Sequence, residues 1–364
     1  MGIVRIEERR RLEIEEFRRM LVACAGLNRR KDEEEDLHGG ISSTNTSCID
    51  FAQDKVVCVT SGVSFLGLAL VNRLLLRGYK VRIIVDNQED IEKLREMETS
   101  GEMRITNNRF KAVMAKLMEV QSLSEAFEGC CGVFHTSSFA DPAGLSGYTK
   151  SMAEIEVKAS ENVMKACART PSVRNCVLTS SLLACIWRDS NLHELSRVVN
   201  HECWSDESLC IDKKLWYAFG KLKAEKAAWR IAEEEGLKLT TICPGLITGP
   251  EFVHRNSTAT IAYIKGAREM YADALLATVD LSKLAYAHVC VFEEMNKTAF
   301  GRYICFDHVI EGDDEAEKLA HEVGIPADKI CGNASGYIPT GFELSNRKLT
   351  CLMSRTLGSC YNEI

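Results

Sequence analysis

From Lys55 onward the chain alternates short β-branched runs with segments of helical spacing, and no other feature constrains its fold as tightly. "KVVCVT" (Lys55 to Thr60) reads as a buried strand. "FLGLALVNRLLLRGY" carries apolar residues at helical spacing and stops at Gly78. The strand "KVRIIV", the helix "DIEKLREME", a strand within "RFKAVMAKL" and the short helix "SLSEAFEGC" follow. Next come the strand "GVFHTSS", the helix "MAEIEVKASENVMKACAR" and the strand "RNCVLTSS". A long helix around Tyr217 leads into "LKLTTICPG", again a strand. Such alternation implies a parallel sheet with helices on both faces, a doubly wound α/β fold.

The 364 residues are enough to bury a substantial core. Ahead of it, residues 1–51 read as an N-terminal extension: a charge-rich amphipathic helix from Ile6 to Ala25, then the polar linker "NRRKDEEEDLHGGISSTNTSCID". A net charge of −7 offers nothing to attract nucleic acid. No apolar run is long enough to cross a bilayer, so no membrane partner is expected. The first twenty residues lack the apolar centre of a secretory signal, and Ile6 stands where a myristoylation signal wants Ser or Thr. The expected location is cytoplasmic. The sixteen cysteines are scattered without a CxxC pair, which argues against a metal site or a disulfide framework. Most are expected to fill the core as small apolar side chains.

The first strand runs into "TSGVSFLG", Thr60 to Gly67, and then into a helix. A strand–turn–helix of this kind can seat a dinucleotide pyrophosphate, because the helix start offers unpaired N–H groups and small residues permit close approach. Thr60, Ser61, Ser64, Phe65, Leu66 and Gly67 are therefore expected at the cofactor. Ser61 and Ser64 occupy two places where the usual turn carries glycine. The second strand ends at Asp86, where a carboxylate hydrogen-bonds a ribose 2′-OH and repels a 2′-phosphate. That favours NAD(H). Lys93 and Arg82 are the nearby cations, and Arg82 is expected to point out of the sheet.

Three features then fall in chain order: the dinucleotide-type turn, the strand "VLTSS" ending in Ser180 and Ser181, and "WYAFGK" on the helix before the next strand. Together with "GVFHTSS", "ECWSDESLC", "TICPGLITGP", "GRYIC" and "FELSNRKL", they resemble the extended short-chain dehydrogenase/reductase family, in its plant cinnamoyl-CoA reductase and dihydroflavonol reductase branch. The resemblance implies a Rossmann-type sheet over 52–308 and a smaller, discontinuous C-terminal substrate lobe. Residues 309–364 would form that lobe, with 191–210 and 248–279 contributing. It also implies an NAD(P)(H) cofactor, with the family habit towards NADP(H) set against Asp86.

Carried over by position, Tyr217 is the proton donor to the reduced carbonyl oxygen. Lys221, one helical turn on, shares its face, stabilises tyrosinate and holds the nicotinamide ribose. Ser181 holds the substrate oxygen, with Ser180 as the alternative. Thr136, Ser137 and Ser138 fall beside the cofactor, Leu117 near the adenine, and Pro244, Gly245, Leu246 and Ile247 near the nicotinamide. At Lys116-Leu117 the family has an acidic residue that this chain lacks. His135 is read as a satisfied strand-end histidine.

The chain departs from cinnamoyl-CoA reductases at Leu215, Ala218 and Phe219 of "LWYAFGK". Where those reductases hold the CoA phosphate, it has "IAYIKG", whose one cation is Lys265, and the acidic "VIEGDD" with Glu311, Asp313 and Asp314. A polyphosphate ester fits such a site poorly. The expected partner is a small aromatic aldehyde or ketone, with a cinnamoyl-CoA-like thioester kept open. The expected assembly is a monomer or weak homodimer. Two other readings use the same residues: a non-catalytic dinucleotide-binding sensor, for which the serine-substituted turn speaks, and an epimerase acting on sugar nucleotides.

Overall fold

The computed structural model describes residues 55–103, 109–136, 148–188, 197–331 and 342–361, with side chains as far as residue 355. The N-terminal extension over 1–51, and Ser137 and Ser138, lie outside the described residues.

Seven parallel strands form the central sheet: β1 (Val56–Val59), β2 (Lys80–Val85), β3 (Phe110–Met114), β4 (Gly132–His135), β5 (Asn175–Thr179), β6 (Lys238–Pro244) and β7 (Gly301–Cys305). Their order is β7-β6-β5-β4-β1-β2-β3. The chain starts at β1, builds outward to β3, then crosses to β4 and builds the other way. The sheet therefore has a switch point between β1 and β4, where neighbouring connections leave in opposite directions and open a crevice. The strands read from the sequence are all present. β7, whose "GRYIC" was read only as a family motif, completes the far edge.

Helices α1 (Phe65–Leu76), α2 (Gln88–Thr99), α3 (Val120–Phe127), α4 (Lys150–Arg169), α5 (Trp216–Glu235), α6 (Leu281–Glu294) and α7 (Arg347–Tyr361) surround this sheet. Side chains alternate along a strand, so adjacent residues enter different layers. Val57, Ile83, Phe134 and Val177 join Leu70, Leu74 and Val291 on the face of α1 and α6. Cys58, Ile84, Val133 and Leu178 join Leu123, Val163 and Ala228 on the face of α3, α4 and α5. A third cluster, including Trp187, Phe252, Tyr263, Leu276 and Leu319, lies in the C-terminal half. Two small sheets accompany it: Leu246–Thr248 beside Ala277–Asp280 and His308–Val309, and Val198–Val199 beside Glu343–Leu344. Among the described cysteines, Cys58, Cys130, Cys167, Cys176, Cys185, Cys210, Cys243, Cys290 and Cys305 are buried as unbridged thiols, the filler role expected of them.

Two glycines set the close approaches on which the site depends. A Cβ on Gly67 would lie 1.8 Å from the Ser61 carbonyl oxygen, so only glycine lets the turn after β1 fold back against α1. A Cβ on Gly220 would come within 3.0 Å of Ala153 and 3.2 Å of the Tyr148 hydroxyl, so glycine here brings α5 against α4.

Candidate active site

An open cleft lies beyond the carboxyl ends of β1, β4, β5 and β6. Ser64, Phe65 and Leu66 enter it from the turn after β1, Thr136 from β4, and Ser180 and Ser181 from β5. Tyr217 and Lys221 enter from α5, and Pro244, Gly245, Leu246 and Ile247 from the end of β6. The cleft thus gathers most of the residues singled out from the sequence.

The remaining ones fall around it. Thr60 is buried with its Oγ1 2.9 Å from His135 Nδ1. Ser61 supports the turn through its carbonyl, which accepts the Ser64 hydroxyl at 2.7 Å. Gly67 closes that turn from behind. Leu117 packs on the α3–α4 core, and its carbonyl accepts from Asn162 at 3.1 Å. Asp86, just past β2, and Lys93, within α2, are exposed and do not line the cleft. Lys93 is paired with Glu89 at 2.8 Å. Arg82 turns away from the cleft, its guanidinium 2.9 Å from the Ala126 carbonyl of α3.

The turn after β1 fits a dinucleotide despite its serines. Ser64 caps α1, with its Oγ accepting the Gly67 N–H at 3.1 Å. The N–H groups of Phe65 and Leu66 sit in the first turn, where a helix has no acceptors of its own, and both residues line the cleft. Across from them, the Thr136 hydroxyl is buried without a hydrogen-bond partner among the described residues. A buried hydroxyl in that state is stabilised by a ligand that completes it.

Helix α5 ends in the left-handed Gly236, and its buried stripe includes Ala218, Leu222, Ala228 and Ile231. Two charged residues lie within that stripe. Lys221 Nζ is 2.6 Å from Glu156 Oε1 of α4, and both side chains are almost fully buried. The other Glu156 oxygen accepts the Tyr148 hydroxyl. The Tyr148 ring meets Tyr217 edge-on, with centroids 5.0 Å apart. One turn further, the Glu225 carboxylate accepts Arg302 Nε at 2.8 Å, the Ser180 hydroxyl at 2.7 Å and the Thr241 hydroxyl at 2.6 Å. The Arg302 guanidinium stacks 3.6 Å from the centroid of Trp204. Ser180 is therefore committed to Glu225, while the Ser181 hydroxyl meets only the Leu183 N–H, at 3.2 Å, in the hydrogen bonds described. That division favours Ser181 over Ser180 for contact with a ligand.

The electrostatics differ from expectation at Tyr217. Lys221 does favour the phenolate, but burial and the Glu156 carboxylate outweigh it, and the Tyr217 pKa stands above the ordinary phenol value. Burial also works against the Lys221 ammonium, yet Glu156 and Tyr217 hold it above the usual lysine range. His135 is fully buried and lowered to about 4 by burial and the Lys221 ammonium. Its ring nitrogens meet Thr60 and Ser160, the latter at 3.1 Å, so it is a satisfied structural histidine. Sequence reasoning missed Tyr148, Glu156, Glu225, Arg302 and Arg255, which lines the mouth and pairs with Glu102 at 2.8 Å. Glu156 and Glu225 had a signal: each interrupts the apolar stripe of its helix.

Among the described residues, no group of three or more His, Cys, Asp or Glu could hold a metal ion. None of their helices is long and apolar enough to cross a membrane.

A model of the 3-beta hydroxysteroid dehydrogenase/isomerase family matches residues 58–305. Cinnamoyl-CoA reductase 1 of Petunia hybrida is 36% identical over 303 residues, 81% of this chain and 86% of that protein. Tetraketide alpha-pyrone reductase 1 of Arabidopsis thaliana is 33% identical over 267 residues, 72% of this chain and 79% of that one. Among solved structures, vestitone reductase from alfalfa (Medicago sativa) superimposes with a TM-score of 0.57 at 24% identity, covering 82% of this chain and 91% of that one. Yeast methylglyoxal/isovaleraldehyde reductase complexed with NADPH does so with a TM-score of 0.61 at 21% identity, covering 82% and 93%. At those identities the two structures show the fold alone.

The Glu225–Arg302 pair anchors the helix that carries Tyr217 and Lys221. Glu225→Gln leaves the Arg302 guanidinium buried without its countercharge and is expected to cost about 3–5 kcal/mol of stability. Arg230→Ala, which removes the pairs of an exposed guanidinium with Glu234 on the same helix and Glu161 of α4, is expected to cost under about 1 kcal/mol. Urea unfolding midpoints of the two variants check the contrast.

Proposed function

The chain belongs to the 3-beta hydroxysteroid dehydrogenase/isomerase family of extended short-chain dehydrogenase/reductases, and from that premise we propose that it is an NAD(P)H-dependent reductase of a small aromatic carbonyl compound. The observation that carries this reading is the convergence of Ser181, Tyr217 and Lys221 on one cleft with the capped start of α1. A sensor that only binds a dinucleotide has no use for a phenol, an ammonium and a hydroxyl brought together from two different elements.

When bound, the cofactor supplies a hydride from its nicotinamide. The chain supplies position and a proton. The N–H groups of Phe65 and Leu66 would meet the pyrophosphate, and the Thr136 hydroxyl would complete its hydrogen bonding against the same ligand. Ser181 would hold the substrate oxygen. Tyr217 would give that oxygen its phenolic proton, and Lys221 would hold the ribose while compensating the charge left on Tyr217. A phenol held above its ordinary pKa is protonated at neutral pH, as a donor must be. Among the described residues, the lobe over the cleft would be built from 248–279 and 309–331 together with 197–210 and 342–361.

Three features favour an uncharged aromatic substrate over a CoA thioester. Phe65, Tyr217 and Tyr263 give the cleft aromatic walls. Lys265, the cation in the segment where relatives of the resembled branch hold CoA, donates to the Lys214 carbonyl at 2.7 Å. Glu311, Asp313 and Asp314 add negative charge to the other such segment.

Supplying the purified protein with NADH or NADPH and a panel of phenylpropanoid aldehydes, ketones and CoA esters, and following cofactor absorbance, tests the reading. Tyr217→Phe is expected to lower turnover by about 10²–10⁴, the range for loss of a general acid, with cofactor binding kept. Undiminished turnover in that variant would remove the proposal.

Cofactor preference follows from the end of β2. The Asp86 N–H donates to the Asp90 carboxylate at 3.2 Å, so two carboxylates gather where an adenosine ribose would lie. Lys93 is paired with Glu89 at 2.8 Å and offsets part of the Asp90 charge from 3.9 Å, while Arg82 reaches the Ala126 carbonyl. NADH is expected to bind more tightly than NADPH, by the about 1.5–3 kcal/mol of a hydrogen bond to a charged group. Asp86→Arg is expected to abolish or reverse the preference. Fluorescence titration of both cofactors into both proteins checks it; a wild type preferring NADPH with an unchanged variant would contradict it.

A further inference from the structure

Glu156 is 1% exposed, and both its oxygens are engaged at the base of the cleft. Oε1 lies 2.6 Å from Lys221 Nζ, and Oε2 accepts the Tyr148 hydroxyl. Lys221 Nζ is 5.5 Å from the centroid of the Tyr217 ring, whose edge contacts Tyr148. These four side chains form one cluster: a buried ammonium and carboxylate, and two half-buried phenols. Burying a carboxylate is costly unless a charge and hydrogen bonds compensate it, and this one has both.

We propose that Glu156 is a positioning residue that acts through Lys221, neutralising the ammonium so that Tyr217 keeps its proton to higher pH, and thereby setting the alkaline limit of carbonyl reduction. The proposal rests on the reading of Tyr217 as proton donor. An ammonium alone beside a phenol stabilises the phenolate. With a carboxylate against that ammonium, the phenol faces an ion pair, whose field falls off faster than that of a single charge. The elevated Tyr217 pKa, raised by burial first and by Glu156 against the pull of Lys221, agrees.

The other groups around the cluster do not replace Glu156. His135, at the end of β4, is neutral, lowered to about 4 by burial. Tyr148 and Tyr263 are pushed up, chiefly by burial, and stay as neutral phenols. Glu225, one turn along α5, also favours the Lys221 ammonium, less than Glu156 does, and is itself paired with Arg302 of β7. Arg255 lines the same cleft but faces Glu102.

The sign follows directly. Reduction needs protonated Tyr217, so its rate is full below the Tyr217 pKa and falls as pH rises through it. Removing the Glu156 charge takes away the carboxylate paired with Lys221, lowers that pKa and brings the fall to lower pH.

The test titrates Tyr217 in the full-length chain by near-ultraviolet phenolate absorbance. Subtracting the curve of Tyr217→Phe isolates its transition, once in the wild-type background and once in Glu156→Gln. The midpoint in Glu156→Gln is expected to fall by about 1–3 pH units, the scale of an opposite charge at this range. With cinnamaldehyde and reduced cofactor, the alkaline limb of the rate is expected to move by the same amount. Glu156→Asp draws the carboxylate back by one methylene and is expected to shift the midpoint the same way by less, so it decides the matter if Glu156→Gln does not fold. The double variant Glu156→Gln/Lys221→Met removes both charges and is expected to return the midpoint upward, which loss of packing alone would not do. An unchanged or raised midpoint in Glu156→Gln, or in Glu156→Asp where that is the variant used, overturns the proposal. A wild type that reduces no carbonyl would instead contradict the proposed function, and the titration would still judge Glu156.

Discussion

Seven strands running in one direction bring all their carboxyl ends to a single edge of the sheet. The rest of the molecule follows from that. A parallel strand cannot return by a hairpin, so each connection crosses a face, and here helices make most of those crossings. Residues just past the strand ends share one rim: Ser64 after β1, Thr136 after β4, Ser181 after β5 and Gly245 after β6. Because the chain reverses its direction of build between β1 and β4, two connections diverge there and leave the crevice unfilled. The cleft is a property of topology before it is a property of any residue.

Helix α5 turns that rim into a reactive arrangement. Its buried face carries two charges one turn apart, each met by a partner from a different layer. Glu225 is tied to Arg302 on β7, to Ser180 just past β5 and to Thr241 within β6, which fixes the rotation of the helix on the sheet. Lys221 is tied to Glu156 on α4, which Gly220 allows to approach. With both ends held, Tyr217 has little freedom except to face the cleft. Removing one partner of a buried pair costs more than the pair itself contributes, so these residues constrain one another strongly.

Much of this was legible from residues alone. Strands with β-branched runs and helices with clear apolar spacing read correctly because their periodicity is local. The Tyr217–Lys221 spacing places both on one helical face wherever the helix packs, and the strand-end serines follow from the strand itself. Glu156, Glu225 and Arg302 were not legible in that way. In sequence, "AEIEVK" and "KAEKAA" look like solvated helix faces, and only the third dimension shows that their partners lie on other elements. Each glutamate does fall in phase with buried neighbours, Ala153 and Ala159 for one, Leu222 and Ala228 for the other. A charge on an apolar stripe is the signal that a distant counter-charge exists. The direction of the Tyr217 pKa was misjudged because Lys221 was visible in the sequence, while the burial of the phenol, and after it the Glu156 carboxylate, were not.

The central claim is that this cleft delivers a hydride to a carbonyl carbon while Tyr217 protonates the oxygen. Reduced cofactor carrying deuterium at the transferable position of the nicotinamide tests it most directly, with each carbonyl of the panel and mass spectrometry of the alcohols formed. The expected result is a single deuterium on the former carbonyl carbon of at least one aromatic aldehyde or ketone, lost when Tyr217→Phe replaces the wild type. Tight cofactor binding with no deuterium in any product would contradict it and leave a dinucleotide-binding protein without reductase chemistry.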